Sequence, residues 1–473
     1  MKGDFSRNTF DPGKHFSRVL LQQGRVQLDA DSNEQTAILL HYLRTLAADL
    51  IGPSAGPAGS DGFKIKSSIE NNDFHIGPGR YYVDGILCEN EIDINYTQQK
   101  DYPDPLPLNL GGNDPYLVYL DVWERHITAL ENDYIREKAL GGPDTATRTQ
   151  VVWQVKVDHG VDPPSILEPT AQSVKAVQSQ WADWVKRWHP PHRGCLRARV
   201  NRPEDSKDPC LTDPDAKYRG QENQLYRIEI HQGGLAGEEG ATFKWSRDNG
   251  AVVSLVKWSG LDLIAEKPLG FVAGNWVELS NDEQELRGQP GKLVKVLKVE
   301  GDRFTLESTI STPADIPEGE VWPTKARRWD QEKSISLALV EGIVPLSESK
   351  TEWIDLENGI QIQFLPSSDE TNKHIYRTGD YWLIPARVAT GNIEWPLALD
   401  EEGKLWLDDG KEIPMPQAPL GIWHHYAPLA ILGASSLKDC RCQIPPLNSC
   451  KMLSLGEEGM GEHPKCELPN PLS

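Results

Sequence analysis

Four of the chain's seven cysteines, Cys440, Cys442, Cys450 and Cys466, lie near the C-terminal end, with His463 three residues before the last. Four thiolates, or three thiolates and an imidazole, form a tetrahedral zinc donor set. Such an ion would staple a Pro-rich tail too short to build its own core. The pair is C-x-C, a weaker signal than C-x-x-C, and thiols in a reducing compartment need no partner. A structural zinc on these residues is the one cofactor the spacing suggests, and otherwise none is expected. A second grouping, His189-x-x-His192-x-x-Cys195 with Cys210 further on, is interrupted by Pro190 and Pro191. His424 and His425 precede an apolar strand, where neighbours face opposite sides, so they are expected to be structural.

Asp29-Ala30-Asp31-Ser32-Asn33 imitates the opening of a calcium-binding loop. The imitation fails where such a loop needs Gly and then Glu, because those positions hold Glu34 and Leu40. Asp31 and Glu34 read better as a D-x-x-E capping box at a helix start. Leu39, Leu43, Leu46 and Leu50 then recur at helical intervals, with Leu40 and Ala47 widening the stripe, and Gly52-Pro53 ends the helix.

No H-E-x-x-H, G-x-S-x-G or Walker loop occurs. Gly288-Gln289-Pro290-Gly291-Lys292-Leu293 has the wrong spacing for phosphate and ends in Leu. Adjacent acids such as Glu401-Glu402 and Glu457-Glu458 read as surface charge in an acidic chain. No enzymatic activity is expected.

The elements that would position any site are mostly strands. With 473 residues the chain needs several cores, and 40 Gly with 35 Pro imply many turns. The expected class is mainly β (α+β), built from small sandwich-like or barrel-like modules. It carries the N-terminal capped helix and one further helix near 170–189. On that second helix Val174, Val177, Trp181, Trp184 and Trp188 share a face, which reads as core. Asn249-Gly250 and Asn358-Gly359 each sit between strand-like runs and predict tight hairpins.

The expected divisions are an arm and docking helix over 1–53, a small β module over 54–107, and a β-rich central domain over 108–265 with its helical insert at 169–189. A barrel-like module over 266–325, a β-rich domain over 326–437 and a Cys/Pro-rich tail over 438–473 follow.

Seventy acids against 49 bases give a net charge of −21. A surface of that sign repels phosphate backbones, so no nucleic-acid partner is expected. No run approaches the ~18 apolar residues of a membrane span, and no leader-like apolar stretch opens the chain. A cytoplasmic location is expected, docked at a membrane or released only as part of a larger particle.

The opening segment, from Met1-Lys2-Gly3-Asp4-Phe5-Ser6-Arg7 through Gln23-Gly24-Arg25-Val26-Gln27-Leu28-Asp29-Ala30-Asp31, is the passage that carries a resemblance. It is similar to the start of a bacterial family of domains encoded with phage-tail-like contractile injection systems. Phe243-Lys244-Trp245-Ser246-Arg247-Asp248-Asn249-Gly250, Tyr376-Arg377-Thr378-Gly379-Asp380-Tyr381-Trp382 and Asp439-Cys440-Arg441-Cys442 fit the same family. The resemblance implies a structural component of the particle, in a cage, crown or shell on or around the baseplate. Its implied partners are baseplate and other injection-system proteins and further copies of itself, in a multiple of six or in a number set by particle symmetry.

On that reading Arg18, Gln23, Arg25, Asp29, Asp31, Asn33 and Glu34 form the interface, and the arm takes its ordered shape only against a receiving subunit. The alternative is a tail-associated protein that binds or degrades an envelope glycan through its Trp-rich modules.

Overall fold

Short runs of β-branched and aromatic residues between Gly, Pro and Asn turns favour strands over helices, and the chain is mostly β. The structure, a computed structural model, describes residues 1–68, 72–109, 115–159, 171–188, 193–201, 217–237, 240–307, 316–317, 319–332, 339–368, 373–400, 402–408, 411–433 and 437–444.

Three large hydrophobic cores and one smaller cluster organise the described residues. The first lies under a four-stranded antiparallel sheet ordered Leu437–Asp439, His425–Leu432, Tyr116–Ile127, Arg148–His159. Its two longest strands pair without interruption from Tyr116 opposite His159 to Ile127 opposite Arg148. Phe74, Tyr81, Tyr96, Val118, Leu120 and Leu429 fill the space between this sheet and the strands around 54–95.

Every residue from Tyr116 to Trp123 is buried, so both faces of that strand are covered. The second cover is helix α2 (Ala171–Trp188). Its Trp184 packs with Leu117, Ile431 and Cys440, and Trp188 stacks on Tyr119 with ring centroids 4.2 Å apart. The tryptophan stripe is therefore core, as its spacing implied. Val174 and Val177 lie outside the described side chains.

The second core sits between a five-stranded sheet, ordered Val344–Pro345, Thr242–Ser246, Gln224–Gln232, Tyr381–Arg387, Asn392–Ile393, and a three-stranded one that includes Ile360–Leu365 and Cys195–Val200. Tyr226, Phe243, Trp245, Phe364 and Trp382 pack there. The third is a closed six-stranded barrel running from Val253–Ser259 to Lys325–Trp329. The short helix α3 (Asp282–Leu286) is capped by Asn281 and lies between two of its strands.

Two expectations need correction. The barrel is longer than 266–325, because Val253–Ser259 and Lys325–Trp329 close it. Asn249 and Gly250 do adopt the positive φ of a tight turn, at 53° and 64°. Yet Thr242–Ser246 pairs only within the second sheet while Val253–Ser259 pairs only within the barrel. The turn passes the chain between two cores and closes no hairpin. Asn358-Gly359 does join paired strands, with Ile354 opposite Ile362.

The module boundaries also run differently. The first core draws on residues 63–157 and then on 427–437, and Gln443–Ile444 adds to Ser54–Pro57 in parallel. The described part of the Cys/Pro-rich segment thus pairs with strands His425–Leu432 and Ser54–Pro57, and its Cys440 packs on the α2 side of the sheet.

Candidate functional site

Helix α1 (Asp29–Ile51) begins earlier than its capping residues suggested. Asp31 is the third helical residue, and its carboxylate accepts from the Leu28 N–H at 3.2 Å. The calcium-loop imitation is thereby resolved as the first helical turn.

Two acids and an amide of the first two turns hold the arm. Asp29 Oδ2 accepts from the Ser6 N–H at 2.9 Å, Glu34 from the Thr9 hydroxyl at 2.6 Å, and Gln35 Oε1 from the Val19 N–H at 2.8 Å. Partial burial would raise the Asp29 carboxyl, but the Ser6 hydrogen bonds outweigh it and hold it below its usual range. Phe10 meets His41 with ring centroids 5.7 Å apart.

The arm then enters the body. Met1 N lies 2.8 Å from Tyr381 Oη, and Arg227 donates to Met1 O at 3.0 Å. Lys2 Nζ stands 3.0 Å from Glu229, and Asn249 Nδ2 donates to Gly3 O at 2.9 Å. The first nine residues of the arm thus make their contacts within their own chain, whereas residues 20–28 are exposed. Of the expected interface residues, Asp29, Asp31 and Glu34 act within the chain, whereas Arg18, Gln23, Arg25 and Asn33 are exposed.

What the capping argument missed is the outer side of α1. Leu39, Leu43, Leu46 and Leu50 are 51%, 57%, 41% and 77% exposed, with Leu40 and Tyr42 exposed beside them. In α1 only Ala30 and Ile38 are buried. Arg44 pins the helix to the body through a two-pronged pair with Glu124 at 2.7 and 3.0 Å. The Asp84-Gly85 turn presses on it so closely that a Cβ at Gly85 would lie 2.2 Å from the Arg44 carbonyl oxygen.

Where the cores meet, a cavity of about 480 Å³ is lined by Met1, Lys2, Trp123, His126, Arg227 and Trp423, among others. Its charges are largely paired. Lys244 contacts Glu278 at 2.5 Å and Glu229 at 3.4 Å, and lies 4.4 Å from the Trp329 ring centroid, whose N–H donates to Glu278 at 2.9 Å. Burial alone would raise the Glu278 carboxyl, but Lys244 and Lys2 outweigh it and hold it at about 2. Burial, helped by Lys244, depresses His231 to about 4, and burial with nearby positive charge does the same to His126.

Glu131, Asp282 and Glu285 converge as a metal-ligand set would. The Lys325 ammonium already stands among them, at 2.6, 2.5 and 3.3 Å. Burial would lower the Lys325 pKa, but the three carboxylates outweigh it and hold it above its usual value. The position of a cation is taken by the chain's own lysine.

Of the Cys-rich metal candidates, only Cys440, Cys442 and Cys195 are described. Cys440 is buried against Leu117, Trp184 and Ile431, which pushes its thiol up to about 12, while Cys442 is exposed. Cys450, His463 and Cys466 lie outside the described residues, as do His189, His192 and Cys210. His424 and His425 turn to opposite partners as expected, Asp121 at 2.7 Å and Asp84 at 2.8 Å.

Fold and site together define a β-rich protein of several sheets and one barrel, carrying an outboard helix on a self-anchored arm. The chain belongs to DUF6519, a family of unknown function, whose pattern it matches over residues 1–183 and 191–471. No curated protein and no solved structure matches it. No helix among the described residues is long and apolar enough to cross a membrane.

Proposed function

We propose that this chain is a non-enzymatic assembly subunit, seated in a larger particle through α1 and the exposed part of its arm. The observation that carries this reading is the row Leu39, Leu43, Leu46 and Leu50, held outward on a helix pinned to the body from its other side. Contiguous exposed apolar surface of this kind marks interaction sites in stable proteins. The particle we infer is a phage-tail-like contractile injection system, with this chain in a shell, cage or crown at the baseplate. The similarity of the opening segment and of the later motifs supports that choice.

The inventory of buried charge fits an assembly role, since its acids and bases neutralise one another inside the chain. The alternative, a glycan-binding or glycan-degrading protein, would draw on rings outside α2, such as Trp406 and Trp423, which are 58% and 55% exposed, because the α2 tryptophans pack against the first sheet. Capture of tagged full-length chain from native lysate, followed by electron microscopy, tests the proposal. Co-purifying sheath and tube proteins are the expected result; a chain that brings down none of them refutes it.

A further inference from the structure

The cavity where the cores meet carries one charge that its neighbours do not balance. Glu229 is claimed by Lys2, Arg227 and Lys244, and Glu278 by Lys244 and by the N–H groups of Trp329 and Gly291. Arg327 is the exception. It lines the cavity and is only 9% exposed, yet its guanidinium donates to the neutral Gly250 carbonyl. Glu278 sits directly opposite it across the strand pair but turns its carboxylate to the partners just given. Among the described residues no carboxylate stands within ion-pair distance of Arg327.

A second polar group in the lining is also unmatched. His126 Nε2 is buried and has no hydrogen-bond partner among the described residues. Burial, and then the positive charge of the α-amino group, Arg327 and Arg227, keeps this ring neutral. Arg327 is thus close enough for its charge to act on His126. In its Nε2–H form the ring donates, as a guanidinium does. A buried cation without a counter-ion and a buried donor without an acceptor each cost stability, and a single anionic acceptor relieves both.

From this juxtaposition we infer that the cavity binds a small organic carboxylate, its head group held by Arg327 and His126 and its apolar body against the walls that lead outwards. The inference goes beyond the assembly reading and does not rest on it.

Charge and shape select this class of ligand. The planar fork of Arg327 matches a carboxylate at two points. A phosphate would match the fork too, but its second charge would share the cavity with Glu229 and Glu278. One guanidinium without a counter-ion takes one negative charge. The volume of about 480 Å³ falls within the range of small-molecule sites. Ile422 and Trp423 also line the cavity and are 48% and 55% exposed, so a ligand enters past apolar surface. The chain's net charge of −21 repels anions at long range, which leaves the local contacts to hold the ligand.

Calorimetric titration of the purified full-length protein with benzoate, benzamide and phenyl phosphate tests this. Benzoate should bind with a dissociation constant on the order of 0.1–1 mM, and benzamide, its uncharged counterpart, at least ~10-fold more weakly. Arg327→Gln removes the charge and should weaken benzoate by on the order of 10-fold or more. His126→Phe keeps a ring beside Phe5 and should weaken benzoate by roughly 5-fold. Circular dichroism of both variants should match the parent's. Should one variant not fold, the other and the benzamide comparison on the parent decide.

No binding at about 10 mM benzoate overturns the inference. So does benzamide that binds as tightly as benzoate, or a folded Arg327→Gln that binds benzoate as its parent does. Phenyl phosphate binding tighter than benzoate overturns the choice of a singly charged head group.

Discussion

The Lys2 ammonium lies 3.0 Å from the Glu229 carboxylate, which makes Lys2 an internal counter-ion of the middle strand of the five-stranded sheet. Glu229 also pairs with Arg227 and Lys244, so burial is balanced by three cations that hold its carboxyl well below the ordinary range. Lys2→Met should lower unfolding free energy by about 1–2 kcal/mol, because two cations remain. Glu229→Gln leaves all three cations facing a neutral group and should cost about 3 kcal/mol or more. Urea titrations of both single variants and the double variant read these values and their coupling. A Lys2→Met protein as stable as its parent would show that the arm is not seated. For the same reason, removing residues 1–53 entirely would confound attachment with stability.

Lys325 stands where a divalent ion would stand among Glu131, Asp282 and Glu285. Lys325→Ala should destabilise by about 3–5 kcal/mol at neutral pH, since it strands partly buried carboxylates. Millimolar calcium should then raise the variant's melting temperature and leave the parent's unchanged, because binding to the folded state alone stabilises it. A parent that responds to calcium as strongly as the variant contradicts this assignment.

Acid should destabilise the fold in two stages. His231 and His126 are depressed to about 4 in the folded chain, below their ordinary 6.5. Between those values the unfolded chain binds more protons, so stability falls as pH drops from about 6.5 to about 4. Glu278 and Glu131 are held at about 2, below their ordinary 4.5. Their contribution is fully present above pH 4.5 and is lost as pH falls towards 2. Melting temperature measured against pH should show both stages. His231→Gln should flatten the first, and an unchanged slope there would contradict the reading of a neutral buried imidazole.

Gly85 has φ of +77° and no room for a Cβ beneath Arg44. Gly85→Ala should push α1 off the body and break the Arg44–Glu124 pair. The expected result is faster proteolysis within 29–51, with a fall of about 1–3 kcal/mol in overall stability. Unchanged cleavage would mean that the helix is not held at this point.

Cys442 is exposed and should react with a thiol reagent in the native protein, whereas Cys440 should react only on unfolding. Stoichiometric zinc that disappears in Cys440→Ser would reverse the assignment of Cys440 as a core thiol.

Local chemistry was legible in the sequence. The Asn249-Gly250 and Asn358-Gly359 turns, the α2 tryptophan face and the opposed His424 and His425 are all set by residues within a few positions of one another. Strand partnership was not, because it is decided by the whole chain. Nothing near His425–Leu432 announces that it pairs with Tyr116–Ile127, and nothing near Asn249 says that its flanking strands enter different sheets.

The start of α1 was misplaced for a related reason. Asp29, Asp31 and Glu34 are all plausible capping acids, and the arm that claims Asp29 and Glu34 folds back from 20 or more residues away. The leucine row was visible as a face, but spacing alone does not say whether a face turns inward or outward.

The pairing of His425–Leu432 with Tyr116–Ile127 also sets an order of events during synthesis. A ribosome releases the segment containing Tyr116 about 300 residues before its partner emerges, at roughly 5–20 residues per second. For many seconds that edge has no mate, and its unpaired N–H and C=O groups are open to other nascent chains. The module translated first is the last to be sealed, so premature termination anywhere before Leu432 should yield an aggregating product rather than a smaller folded one.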